Sequence, residues 1–79
     1  GVAESLRGRG LGKKFLKNII NFSKYYGADF ITLEVGINNI PAKNMYSSFN
    51  FIECGIRKNY YRNSSGSRED AIIMKLNLN

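Results

Sequence analysis

The sequence has no histidine and one cysteine, Cys54. Zinc is held by Cys and His side chains, so this inventory argues against a zinc centre and no metal is expected. A lone cysteine forms no internal disulfide, which suits a reducing compartment and an expected cytoplasmic location. Acidic residues are scarce as well: six Asp and Glu stand against twelve Lys and Arg, for a net charge of +6. No apolar run approaches the ~20 residues of a membrane span, and no charged-then-apolar leader opens the chain. No repeat or low-complexity tract is visible. A basic chain of this kind favours acidic partners such as nucleotide phosphates, RNA or an acidic peptide. The cations gather at Arg7–Lys24 and Arg57–Arg62.

What is present is one domain, or part of one, over residues 1–79. From Leu11 the apolar residues Leu11, Phe15, Leu16, Ile19, Ile20, Phe22 and Tyr26 recur at helical spacing. Lys13, Lys14, Lys17, Asn18, Asn21 and Lys24 fall on the opposite face, and Gly27 is placed to end the helix. "FITLEV", Phe30–Val35, is short, apolar and β-branched, and predicts a buried strand. With Gly1–Ala3 as the end of an earlier strand, this makes a right-handed βαβ unit. Asn39 before the single proline, Pro41, is a helix-entry signal. That helix runs to about Phe49, with Ala42, Met45, Tyr46 and Phe49 inward. "FIECGIRKNYY", Phe51–Tyr61, predicts a strand bulged at Gly55, with Cys54 as a small buried hydrophobe. "RNSSGSRED" predicts a loop, and "AIIMKLNL", Ala71–Leu78, an antiparallel last strand. The expected class is an α/β mixed sheet in the order (β)-α-β-α-β-β.

"RGRGLGKK", Arg7–Lys14, opens the first helix. Free N–H groups at a helix start bind anions, and Gly8, Gly10 and Gly12 let the backbone approach without a Cβ in the way. The pattern is R-x-x-G-x-G, neither the P-loop nor G-x-G-x-x-G. A flexible basic turn and a phosphate cradle both fit it. Glu34 reads as a strand carboxylate paired with a neighbouring cation, or as a proton acceptor. Tyr46 fits a core position, Asn39 a helix cap, and Tyr60 and Tyr61 the aromatic end of a strand. Glu69 and Asp70 read as loop charges, or as attractors of a cationic peptide end.

In order, R-x-x-G-x-G, "LEV", "NNIPAKNMY" and "NYY…EDAIIMKL" resemble the GNAT acetyltransferases over essentially the whole chain. More narrowly they resemble the protein N-terminal acetyltransferases of the ribosomal-protein-alanine type. The resemblance implies the C-terminal half of a GNAT fold. It implies acetyl-CoA as acetyl donor, its pyrophosphate held at Arg7, Gly8, Arg9, Gly10, Leu11, Gly12 and Lys13. Gly1 and Val2 would pair with the pantetheine arm, and Asn39 would touch the cofactor. Glu34 would accept a proton from a protein N-terminal amine, and Tyr46 would donate one to the leaving thiolate. Tyr60 and Tyr61 would help admit the peptide. Transfer would be direct, with no covalent role for Cys54. Gly36, Asn50 and Arg62 depart from the residues usual in that family.

Half a fold leaves a sheet edge open, so a second copy, or a separate N-terminal fragment, is expected to complete it. A membrane and a specific nucleic acid are not expected partners. The other functions weighed are a non-catalytic CoA-binding or assembly module and a basic RNA-binding module.

Overall fold

The computed structural model describes residues 11–62 and 66–79. Helix α1 is Leu11–Tyr25, strand β1 Phe30–Gly36, helix α2 Ile40–Ser48, strand β2 Ile52–Arg62 and strand β3 Arg68–Asn77. The α-β-α-β-β order matches the expectation from Leu11 onward. The first expected strand, Gly1–Ala3, and therefore the βαβ unit, lie outside the described residues. No helix among the described residues is long and apolar enough to cross a membrane.

The chain forms two units, one running up to Ile31 together with Asn77–Asn79, the other Thr32–Leu76. In the first unit, α1 turns its lysines and asparagines to solvent as its period requires, and Leu16 is buried. Phe15, Ile19, Phe22 and Tyr26, on the apolar side of the helical pattern, are exposed. The helix ends where Gly27 adopts φ +80°. Ala28 N–H bonds Ser23 O at 2.9 Å and Gly27 N–H bonds Lys24 O at 3.1 Å, a Schellman closure. Leu78 N–H and the Asn79 side-chain amide both bond Asp29, each at 2.8 Å, which anchors the chain's last residues.

In the second unit the sheet order is β1-β3-β2, and β2 and β3 are antiparallel. Its buried side chains are Val35, Phe51, Ala71, Ile72 and Met74. Burying a side chain the size of Met74 contributes about 1.5–3 kcal/mol. Strand β1 is less enclosed than its composition predicts: Phe30 and Thr32 are exposed and only Val35 and Gly36 are buried. It is an edge of the described sheet, and an edge strand is covered less than a central one. Strand β3 starts at Arg68, not Ala71, so Glu69 and Asp70 are strand residues rather than loop charges.

The bulge expected at Gly55 is present between Glu53 and Gly55. The extra residue is Cys54, which is exposed and free rather than buried. A bulge leaves its extra residue outside the ladder, and here that residue faces water. A second, larger irregularity between Arg57 and Tyr61 was not foreseen.

Candidate functional site

Helix α2 is built as its sequence dictates. Asn39 caps it, its Oδ1 accepting from Ala42 N–H at 3.3 Å, with Pro41 in the first turn. Ala42, Met45, Tyr46 and Phe49 are half-buried while Asn44, Ser47 and Ser48 face solvent. The helix closes in a second Schellman motif. Phe51 N–H bonds Tyr46 O at 3.1 Å and Asn50 N–H bonds Ser47 O at 2.9 Å. Asn50 has φ 72°, a region that Asn tolerates better than other non-glycine residues. The closure folds buried Phe51 back onto the helix, where its ring meets Tyr46 edge-on, centroids 5.6 Å apart. Local sequence therefore fixes the ring of the candidate proton donor.

Glu34 lies on β1 with its side chain 27% exposed, and Oε2 accepts from Arg57 Nη1 at 2.8 Å. Strand β3 lies between β1 and β2, so the ion pair reaches across it. Ala71 pairs with Arg57 in the ladder and is fully buried. Residues opposite in a ladder share a face, and a methyl group there leaves room for the guanidinium to pass over. The carboxylate and its charge hold the Arg57 pKa above its usual value, and partial burial opposes them weakly.

Arg57 also stands over the Tyr60 ring, its Cζ 4.2 Å from the centroid. A regular strand would set residues three apart about 10 Å from each other on opposite faces. The irregularity removes that separation. From Arg57 to Tyr61 β2 advances four residues while β3 advances two, from Ala71 to Glu69. Asn59 takes φ 50° there. Its N–H bonds Asp70 Oδ1 at 2.9 Å, and its carbonyl accepts from Arg68 Nη1 at 3.2 Å. Lys58 Nζ is 3.5 Å from Asp70 Oδ2. The Asn59 N–H bond is the main cause that holds the Asp70 carboxyl below its usual value. Partial burial opposes that shift, and Lys58 adds to it. Asp70 O also accepts from Ile37 N–H at 2.9 Å, and Glu69 Oε2 accepts from the Asn38 amide at 2.9 Å. Both acidic residues are thus engaged by the protein itself.

Of the residues singled out in the sequence, Glu34 and Tyr60 are brought together, through Arg57, which was not among them. Tyr46 is set against Phe51, and Asn39 serves as a cap. Tyr61 pairs with Glu69 in the ladder. Gly1, Val2, Arg7, Gly8, Arg9 and Gly10 lie outside the described residues. Leu11, Gly12 and Lys13 begin α1, Gly12 buried and Lys13 exposed. No acidic residue occupies the first turn of that helix. Its N-terminal N–H groups and dipole, with Lys13 and Lys14 beside them, therefore fit a phosphate-bearing substrate. Only a composition cue, the basic "IRK" before the tyrosines, marked Arg57 in advance. Its partner across strand β3 is a tertiary fact.

Residues 1–51 match the sequence profile of the Acetyltransferase (GNAT) family. The chain is 40% identical over 77 residues to the [ribosomal protein bS18]-alanine N-acetyltransferase of Haemophilus ducreyi, covering 98% of this chain and 53% of that protein. It superposes on the crystal structure of the Escherichia coli ribosomal-protein-S18-alanine N-acetyltransferase with a TM-score of 0.81 at 39% identity. That match covers 94% of this chain and 47% of the other. The structure of the NatC complex bound to Gag peptide and CoA matches with a TM-score of 0.79 at 29% identity, over 95% of this chain and 45% of that one. The chain spans about half the length of the relatives it matches.

Proposed function

The chain belongs to the acetyltransferase (GNAT) family, and from that premise we propose that it carries the donor-binding and proton-transfer half of an N-acetyltransferase. The reaction moves an acetyl group from acetyl-CoA directly to a protein N-terminal amine, with a ribosomal protein as acceptor. The observation that carries this reading is Glu34. It is a partly exposed carboxylate on the edge strand β1, held by Arg57 beside the Tyr60 ring, in a chain 40% identical to a ribosomal-protein-alanine N-acetyltransferase.

An α-amine has an ordinary pKa of about 7.7–8.0, so near neutrality it must shed a proton before it attacks a thioester. Glu34 accepts that proton, directly or through a water. The Tyr46 hydroxyl, on a ring fixed by the α2 closure, supplies a proton to the departing sulfur. Arg7, Gly8, Arg9, Gly10, Leu11, Gly12 and Lys13 hold the donor's pyrophosphate, Gly1 and Val2 its pantetheine arm. Asn39 contacts the donor in addition to capping α2. Tyr60 and Tyr61 border the peptide entrance. No acyl-enzyme is formed, so positioning supplies much of the rate. The exposed, free thiol of Cys54 suits a reducing compartment, and the cytoplasm is the location this reading carries.

The test is acetyl transfer to a short peptide with an N-terminal alanine, followed by mass spectrometry and by CoA release. The expected result is one acetyl group on the α-amine and none on the same peptide with that amine blocked. Glu34→Gln is expected to lower kcat by about 10²–10⁴-fold while acetyl-CoA binding persists. Saturable acetyl-CoA binding with no transfer by a folded wild-type chain would replace this reading with a CoA-binding module. Loss of that binding in Gly10→Asp and Gly12→Asp would assign the loop to the pyrophosphate.

A further inference from the structure

We propose that Arg57 is a positioning residue for Glu34, aimed at it by the irregularity of β2 and tied through its other side to Tyr60. The inference rests on Glu34 being the proton acceptor. The planar guanidinium donates to Glu34 Oε2 at 2.8 Å while its face covers the Tyr60 ring at 4.2 Å. One side chain thus connects the carboxylate to the aromatic edge of the peptide entrance. A guanidinium serves both contacts because its N–H groups point outward in the plane while its faces stack. A lysine ammonium keeps the charge and loses the stack.

The rest of the arrangement exists to permit this reach. Ala71, the ladder partner of Arg57, carries only a methyl group on the face the two residues share. The irregularity at 57–61 returns Tyr60 to Arg57, and Asp70 and Arg68 hold its turning residue, Asn59, by N–H and carbonyl. Exposed ion pairs contribute little to stability, and Arg57 is 53% exposed in its side chain. A stability role does not account for two specific contacts and a strained residue between them. Fixing the orientation of Glu34 does. A general base must lie within hydrogen-bond reach of its proton, and a misplacement of about 1 Å can cost 10²-fold in rate.

The experiment has two arms on the full chain. In the first, NMR couplings of the Glu34 side chain report its χ1 rotamer in the wild type, Arg57→Met, Arg57→Lys and Tyr60→Leu. One rotamer is expected in the wild type, averaging in Arg57→Met, and intermediate behaviour in the other two. In the second arm, turnover of the alanine peptide is measured. Arg57→Met is expected to lower kcat by about tenfold or more, with KM for acetyl-CoA within about twofold, and Arg57→Lys to recover part of it. A folded Arg57→Met protein with a single Glu34 rotamer and unchanged kcat overturns the proposal. A wild-type chain without turnover overturns the function proposed above, and the rotamer arm still decides whether Arg57 holds Glu34.

Discussion

Asn50 does the work that glycine commonly does at a helix end. Its φ of 72° closes α2 and turns Phe51 onto Tyr46. A left-handed backbone costs most L-residues roughly 1–2 kcal/mol, and β-branched residues tolerate it least. Asn50→Val is therefore expected to destabilise the chain by about that amount, and Asn50→Gly to be neutral within a few tenths. Urea unfolding of the two variants beside the wild type checks this. Equal midpoints for Val and Gly would mean that the turn does not depend on residue 50. Under the proposed function the residue also bears on catalysis, because the same turn sets Phe51 against the Tyr46 ring.

At the scale of elements, the β2–β3 hairpin is the part that departs most from regular structure. Its irregularity depends on Asp70, whose carboxylate accepts the Asn59 N–H and faces Lys58. A carboxyl whose pKa is lowered in the fold stabilises that fold above its unfolded value, near 3.8, and loses the contribution as pH falls through the folded value. The expected outcome is a wild-type chain that weakens on acidification below about pH 4. Asp70→Asn should be weaker near neutrality and flatter across that acid range. Unfolding midpoints measured from pH 7 to pH 2.5 separate the two. Parallel curves would show that Asp70 does not support the hairpin. Arg57 titrates far above this range and contributes nothing to the acid limb.

Among the described residues, more large apolar side chains are exposed than buried. Phe15, Phe22, Tyr25, Tyr26 and Phe30 are open in one unit, and Ile40, Ile52, Ile56 and Tyr60 in the other. Exposed apolar surface of this extent marks interaction sites. The chain also spans about half the length of its relatives. We propose that it associates, with a second copy or with a separate fragment carrying the remaining strands. Sedimentation velocity is expected to give a mass above one chain that rises with concentration, or on mixing with such a fragment. A single-chain mass at every concentration and in every mixture would refute association.

The sequence alone determined the order of elements from Leu11 onward, both helix ends, the strand that carries Glu34 and the family. Those depend on short-range physics: helical period, the Asn39 cap, the left-handed Gly27 and Asn50, and motifs read in order. It placed the Cys54 bulge within one residue and misjudged the exposure of Cys54, because exposure depends on what covers an edge. It took Glu69 and Asp70 for loop charges, since a polar strand start looks like a turn until its partner strand is known. Only the tertiary structure decided that Glu34 meets Arg57, that Tyr60 lies under the same guanidinium, and that Asp70 holds the irregularity between them. The first and last of those contacts join residues 23 and 11 positions apart. No local period encodes them, because sheet order and register are settled by the packing of the whole.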